Sequence, residues 1–81
     1  MNEFTLPKNP ICLWVFKAEK SDDWFVELES EDKSCILRTF RCGEGESTIC
    51  VNQVRNNAIW FGNIVAEILG VKCVETSSRG L

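Results

Sequence analysis

The chain has 81 residues, which bounds it at one domain and at burial of roughly 60 to 65% of the surface that its unfolded form exposes. Its composition, 44% hydrophobic and 26% charged with 5 Gly and 2 Pro, is that of a folding globule and excludes a collagen-like or disordered chain. Nine Lys and Arg against 12 Asp and Glu give a net charge of -3, whereas binding to a phosphate backbone draws on a surplus of cations, so direct nucleic-acid binding is disfavoured.

Residues 1–10 contain Pro7 and Pro10, and the residue before a proline is pushed to extended geometry, so this stretch reads as an extended arm against the body. From Ile11 to Ala18 the run is apolar on both faces, with Ile11, Leu13 and Val15 on one side and Cys12, Trp14 and Phe16 on the other, the pattern of a central strand. A polar turn at Glu19 to Asp23 leads to a half-buried strand, Trp24 to Ser30, with Trp24, Val26 and Leu28 on one face and Phe25, Glu27 and Glu29 on the other. After SEDKS, a third strand from Cys35 to Cys42 sets Ile36, Arg38 and Phe40 against Cys35, Leu37 and Thr39, without showing which side is buried. Connections this short join antiparallel neighbours.

The loop Gly43 to Ser47, GEGES, is not a phosphate loop, because Glu44 and Glu46 stand where such a loop needs Gly-Lys-Ser/Thr. Thr48 to Val51 reads as a fourth strand or as the lead into a helix. At about 100° per residue, Val54, Ala58, Phe61, Ile64, Val65, Ile68 and Leu69 fall within an arc of roughly 140°, a core-facing stripe with Ile59 opposite and Trp60 on its shoulder. Asn52 or Asn56 is the expected cap, and Gly70 stands where a left-handed C′ residue is wanted. Val71 to Thr76 alternates as a final strand. The expected fold is therefore α+β: an antiparallel β-meander of three to five strands with one C-terminal amphipathic helix packed on one face. Residues 11–76 form its single domain and 77–81 a flexible tail.

Five cysteines, Cys12, Cys35, Cys42, Cys50 and Cys73, with no basic and apolar leader at the start, point to a reducing cytoplasm. Their gaps of 22, 6, 7 and 22 residues lack the close pairs of zinc sites, so no metal site is assigned, although Cys35, Cys42, Cys50 and Cys73 would be the four-thiolate candidates. Cys42, beside Arg41, has the best setting for a reactive thiol. No apolar run reaches the roughly 18 residues of a membrane span.

Catalysis is short of parts. Histidine is absent, which removes the commonest general base and metal ligand. No serine sits in GxSxG, and Lys17 alone lies in an apolar strand. The chain reads as a non-enzyme with no cofactor.

What remains is charge layout. Residues 19–32 hold seven acids against Lys20, a net of -6, while the rest of the chain nets +3. The expected partner-binding surface is this acidic ribbon, with Glu27 and Glu29 at its centre, Asp22, Asp23, Glu31 and Asp32 at its ends and Phe25 as an apolar anchor. Its partner would be a larger protein with a basic surface, and the ribbon's other use would be to blunt pairing at an edge strand. Surplus aromatics point further to a homodimer through the open sheet face. The alternative function is a dimeric small-molecule or nucleotide binding or sequestering protein, with a pocket between protomers built from Trp14, Arg38, Arg41, Arg55 and Trp60. In size and layout the chain looks like phage- or mobile-element-encoded inhibitors of host defence or transcription, including anti-CRISPR proteins. That likeness implies a stoichiometric inhibitor, and no residue is carried over from it.

Overall fold

The computed structural model describes residues 9–42 and 48–76. Of the arm expected at 1–10, residues 1–8 lie outside the described residues, as do the loop at 43–47 and the tail expected at 77–81, while Pro10 already belongs to the first strand. Five elements follow in chain order: β1 (Pro10–Lys17), β2 (Trp24–Ser30), β3 (Ser34–Phe40), α1 (Thr48–Leu69) and β4 (Lys72–Thr76). They form a small α+β fold, a four-stranded sheet of order β3-β2-β1-β4 with the C-terminal helix packed against it.

The hairpin pairs β1·β2 and β2·β3 are antiparallel, whereas β4 lies parallel to β1. The mixed sheet follows from counting reversals. The two tight turns set β1 and β3 in one direction, and α1 carries the chain back so that β4 runs the same way. The turn between β2 and β3 is closed by buried Ser30, whose N–H donates to the Lys33 carbonyl at 2.9 Å and whose Oγ lies 2.6 Å from the same oxygen.

Alternation on β1 and β2 divides the side chains as the sequence predicts. Leu13, Val15, Trp24, Val26 and Leu28 turn to the helix and are buried with Ala58 and Ala66. On β3 the pattern breaks. Val26 pairs with Arg38 but Glu27 pairs with Ile36, so Leu37 is an inserted residue, and beyond this bulge the alternation is reset. Cys35, Leu37 and Phe40 all reach the core, which no strict two-residue period can describe. A second irregularity between Pro10 and Cys12 places Ile11 outside the ladder, 54% exposed instead of beside Leu13.

Two features of the helix differ from expectation. It begins at Thr48, so Thr48 to Val51 is its first turn, and Asn52 and Asn56 are interior residues that cannot cap it. Its buried residues are Ala58, Gly62 and Ala66, spaced i, i+4, i+8, with Val54, Ile59, Phe61 and Val65 packed beside them. Ile64, Ile68 and Leu69, expected in the core, are exposed, and Ile59, expected outside, packs on it. The buried face is turned by roughly 60° from the stripe of largest hydropathy. The C-terminus is as read: Gly70 has φ 72°, its N–H donates to the Glu67 carbonyl at 3.3 Å, and the Val71 N–H donates to the Ala66 carbonyl at 3.0 Å, the paired bonds of a Schellman end.

Candidate functional site

The helix covers one face of the sheet. On the opposite face, alternation places Cys12, Trp14 and Phe16 from β1, Phe25, Glu27 and Glu29 from β2, Ile36 and Thr39 from β3, and Lys72 and Val74 from β4. None of the described elements packs against this second face. Phe16 is fully buried there and stacks on half-buried Phe25 with ring centroids 5.4 Å apart. Trp14 crosses diagonally to Glu29, its indole Nε1–H donating to Oε1 at 2.9 Å. Phe25, Glu27 and Glu29 therefore form the row along β2 that the sequence predicts, with carboxylates and aromatics interleaved.

The acids at the two ends of β2 have different settings. At the end nearer the β1–β2 turn, Asp22 is exposed, whereas half-buried Asp23 is structural: its Oδ1 accepts the Cys42 N–H at 3.1 Å and ties the end of β3 to the turn. At the other end Glu31 accepts from Asn9 Nδ2 at 2.5 Å, and Asp32 Oδ1 lies 2.9 Å from Ser30 Oγ. An open depression of about 500 Å³, lined by Ala18, Glu19, Lys20, Ser21 and Phe25, adjoins the ribbon at its Asp22 end.

The ribbon cannot be explained as edge protection. Order β3-β2-β1-β4 puts β2 inside the sheet, with both backbone edges paired. Charges that blunt edge-to-edge pairing belong on β3 or β4. Glutamate is a poor strand former, and β2 carries two of them in the interior of the sheet.

The five residues of the ligand-pocket alternative are dispersed over the molecule. Trp14 lies on the helix-free face, while Trp60 points away from the sheet on α1 and is 66% exposed. Arg38 sits on the helix side, 4.8 Å from the Phe40 ring centroid and 5.6 Å from that of Phe61. Arg55 donates through Nη2 to Glu75 Oε2 at 2.7 Å and lies 5.8 Å from the Trp24 ring. Arg41 is exposed beyond the end of β3. Within one chain they form no common pocket.

Sequence reasoning missed an apolar ridge on the outer face of α1. Trp60, Ile64 and Ile68 recur at i, i+4, i+8 and are 66%, 37% and 77% exposed. The signal was present in that spacing, but hydropathy had assigned Ile64 and Ile68 to the core.

All five cysteines stand as half-buried thiols. Burial first, then the neighbouring Cys12 and Glu75, push the Cys73 thiol up from its ordinary value. The four thiolate candidates do not converge. Cys42 and Cys50 have their sulfurs 3.7 Å apart, whereas Cys35 on β3 and Cys73 on β4 are three strand spacings apart, about 14 Å. Among the described residues, no group of three or more Cys, Asp or Glu could hold a metal ion. Among the same residues, no helix is long and apolar enough to cross a membrane. The chain matches no protein-family model, and no curated protein or solved structure is found similar to it.

Proposed function

We propose that the protein is a non-catalytic binding module that presents the helix-free face of its sheet to a cationic protein surface, acting as a stoichiometric ligand of that partner. The observation that carries the reading is the row Phe25, Glu27, Glu29 on an interior strand, beside Trp14 and on the face away from α1. Aromatic anchors supply interface energy, and surrounding charges set encounter rate and partner sign. A second copy of the chain is the poorer occupant, because a two-fold axis passing through β2 would set Glu27 and Glu29 against those of the copy.

The test is a titration of the isotope-labelled protein with an arginine-rich peptide, read by NMR shifts and by stopped-flow kinetics. Shifts are expected at residues 25–29 and at the Trp14 indole N–H, which is bonded to Glu29. Glu27→Lys should slow association about fivefold or more at low salt, and Phe25→Ala should speed dissociation by roughly thirtyfold, the equivalent of about 2 kcal/mol. Glu67→Lys, an equal charge change on the exposed side of α1, should leave both rates near those of the parent. Equal slowing by Glu27→Lys and Glu67→Lys, or shifts confined to the helix, would sink the proposal.

A further inference from the structure

Cys42 follows β3 and Cys50 lies in the first turn of α1, and their Sγ atoms approach to 3.7 Å. Both backbones are anchored independently of the sulfurs. The Cys42 N–H is held by Asp23 Oδ1 at 3.1 Å, and Cys50 is fixed in the helix. Both side chains are half-buried, so they are accessible to a small reagent without unfolding. A disulfide bond is about 2.05 Å long, so closure of less than about 2 Å would join them, a distance within reach of side-chain rotation.

The remaining cysteines are placed differently. Leu13 pairs with Cys73 and Cys12 with Lys72, so Cys12 and Cys73 project from opposite faces of adjacent strands. Cys35 and Cys73 lie on the two edge strands with β2 and β1 between them. The Cys42 and Cys50 sulfurs, by contrast, face each other at 3.7 Å.

We propose that Cys42 and Cys50 form a reversible dithiol–disulfide site, oxidised by low-molecular-weight disulfides of the glutathione class. One thiolate attacks a sulfur of the oxidant, forming a mixed disulfide and expelling one thiolate that takes up the proton lost by the cysteine. The second cysteine, deprotonated in turn, attacks the protein sulfur of that mixed disulfide and expels the second thiol. The two cysteine thiols are oxidised to one cystine, and one disulfide is reduced to two thiols. The bridge ties the end of β3 covalently to the start of α1. This site is independent of the sheet face assigned to partner binding.

The test equilibrates the full chain in glutathione buffers of increasing oxidised fraction, followed by acid quench, alkylation and peptide mass mapping. In the oxidised limit the parent should lose two of its five alkylatable thiols and two hydrogens, with the bridge mapped to Cys42 and Cys50, and dithiothreitol should restore all five. Cys42→Ser should instead carry one glutathione on Cys50 and no internal bridge. Five alkylatable thiols at every ratio, a bridge mapped to other cysteines, or a bridge in the Cys42→Ser variant would each overturn the proposal. The parent measurement alone decides it if the variant does not fold.

Discussion

A Cβ added at Gly62 would meet Val15 Cγ2 at 2.5 Å and Cys73 Sγ at 3.1 Å. The helix therefore rests on β1 and β4 through a position that only glycine fills without displacement. Gly62→Ala should destabilise the fold by up to about 2 kcal/mol, since overpacking costs about 1 to 3 kcal/mol and the gain in helix propensity returns about 1. The check is a urea midpoint lowered at unchanged slope. Stability equal to or above the parent's would mean that the helix shifts off the sheet at a cost no larger than the gain in propensity. Beside it, Cys73 makes a prediction of its own. Its folded-state pKa is raised above the unfolded value, with burial the largest cause, so the folded state holds its proton where the unfolded state has begun to lose it. Stability from this group is fully present below the unfolded value and is lost as pH rises through the folded one. Stability measured from pH 8 to 10.5 should fall less steeply for Cys73→Ala than for the parent. Equal slopes would show that the thiol does not titrate differently on folding.

At the scale of elements, α1 carries its own stop signal and borrows its orientation. Gly70 has φ 72° and nothing within 4 Å of an added Cβ, so its substitution isolates backbone strain from packing. Gly70→Ala should cost about 1 kcal/mol and Gly70→Asn less, because asparagine tolerates the left-handed region better. Thermal melts of the two variants provide the measurement, and an alanine variant as stable as the parent would remove the capping role. The stop was legible because it depends on one residue's conformational freedom. The facing was not, because hydropathy weights Ile64 and Ile68 above Ala58, Gly62 and Ala66, whereas close approach to the sheet favours the smallest side chains. The bulge at Leu37 was hidden for a related reason: an inserted residue shows itself against a partner strand, and β3 alone carries no sign of it.

For the whole molecule, the layout of charge bears most on function. The segment from Glu19 to Asp32 nets -6 within a chain of net -3, and folding spreads it along β2 and its two turns. Opposite ends of that strand carry Asp22 and Glu31 with Asp32, while Glu27 and Glu29 lie between on the helix-free face. An extended field of one sign steers a cationic partner over distances comparable to the Debye length, about 10 Å at 0.1 M salt. For this reason the association rate expected above falls with added salt, and most steeply while the central carboxylates are present. The Arg55 to Glu75 pair contributes little to this picture, being 45% and 41% exposed and worth at most about 1 kcal/mol.

The α+β class, the strand faces of β1 and β2, the end of the helix and the acidic row were all set by local pattern: two-residue alternation, one glycine, and seven acids within 14 residues. Each depends on neighbours along the chain and is therefore legible in local pattern. Which face of α1 is buried, the parallel seat of β4 beside β1 and the interior place of β2 were decided by the tertiary structure. So was the meeting of Cys42 with Cys50. These depend on distances between segments remote in sequence, where steric fit at Gly62 and the direction in which the helix returns the chain outweigh local preference.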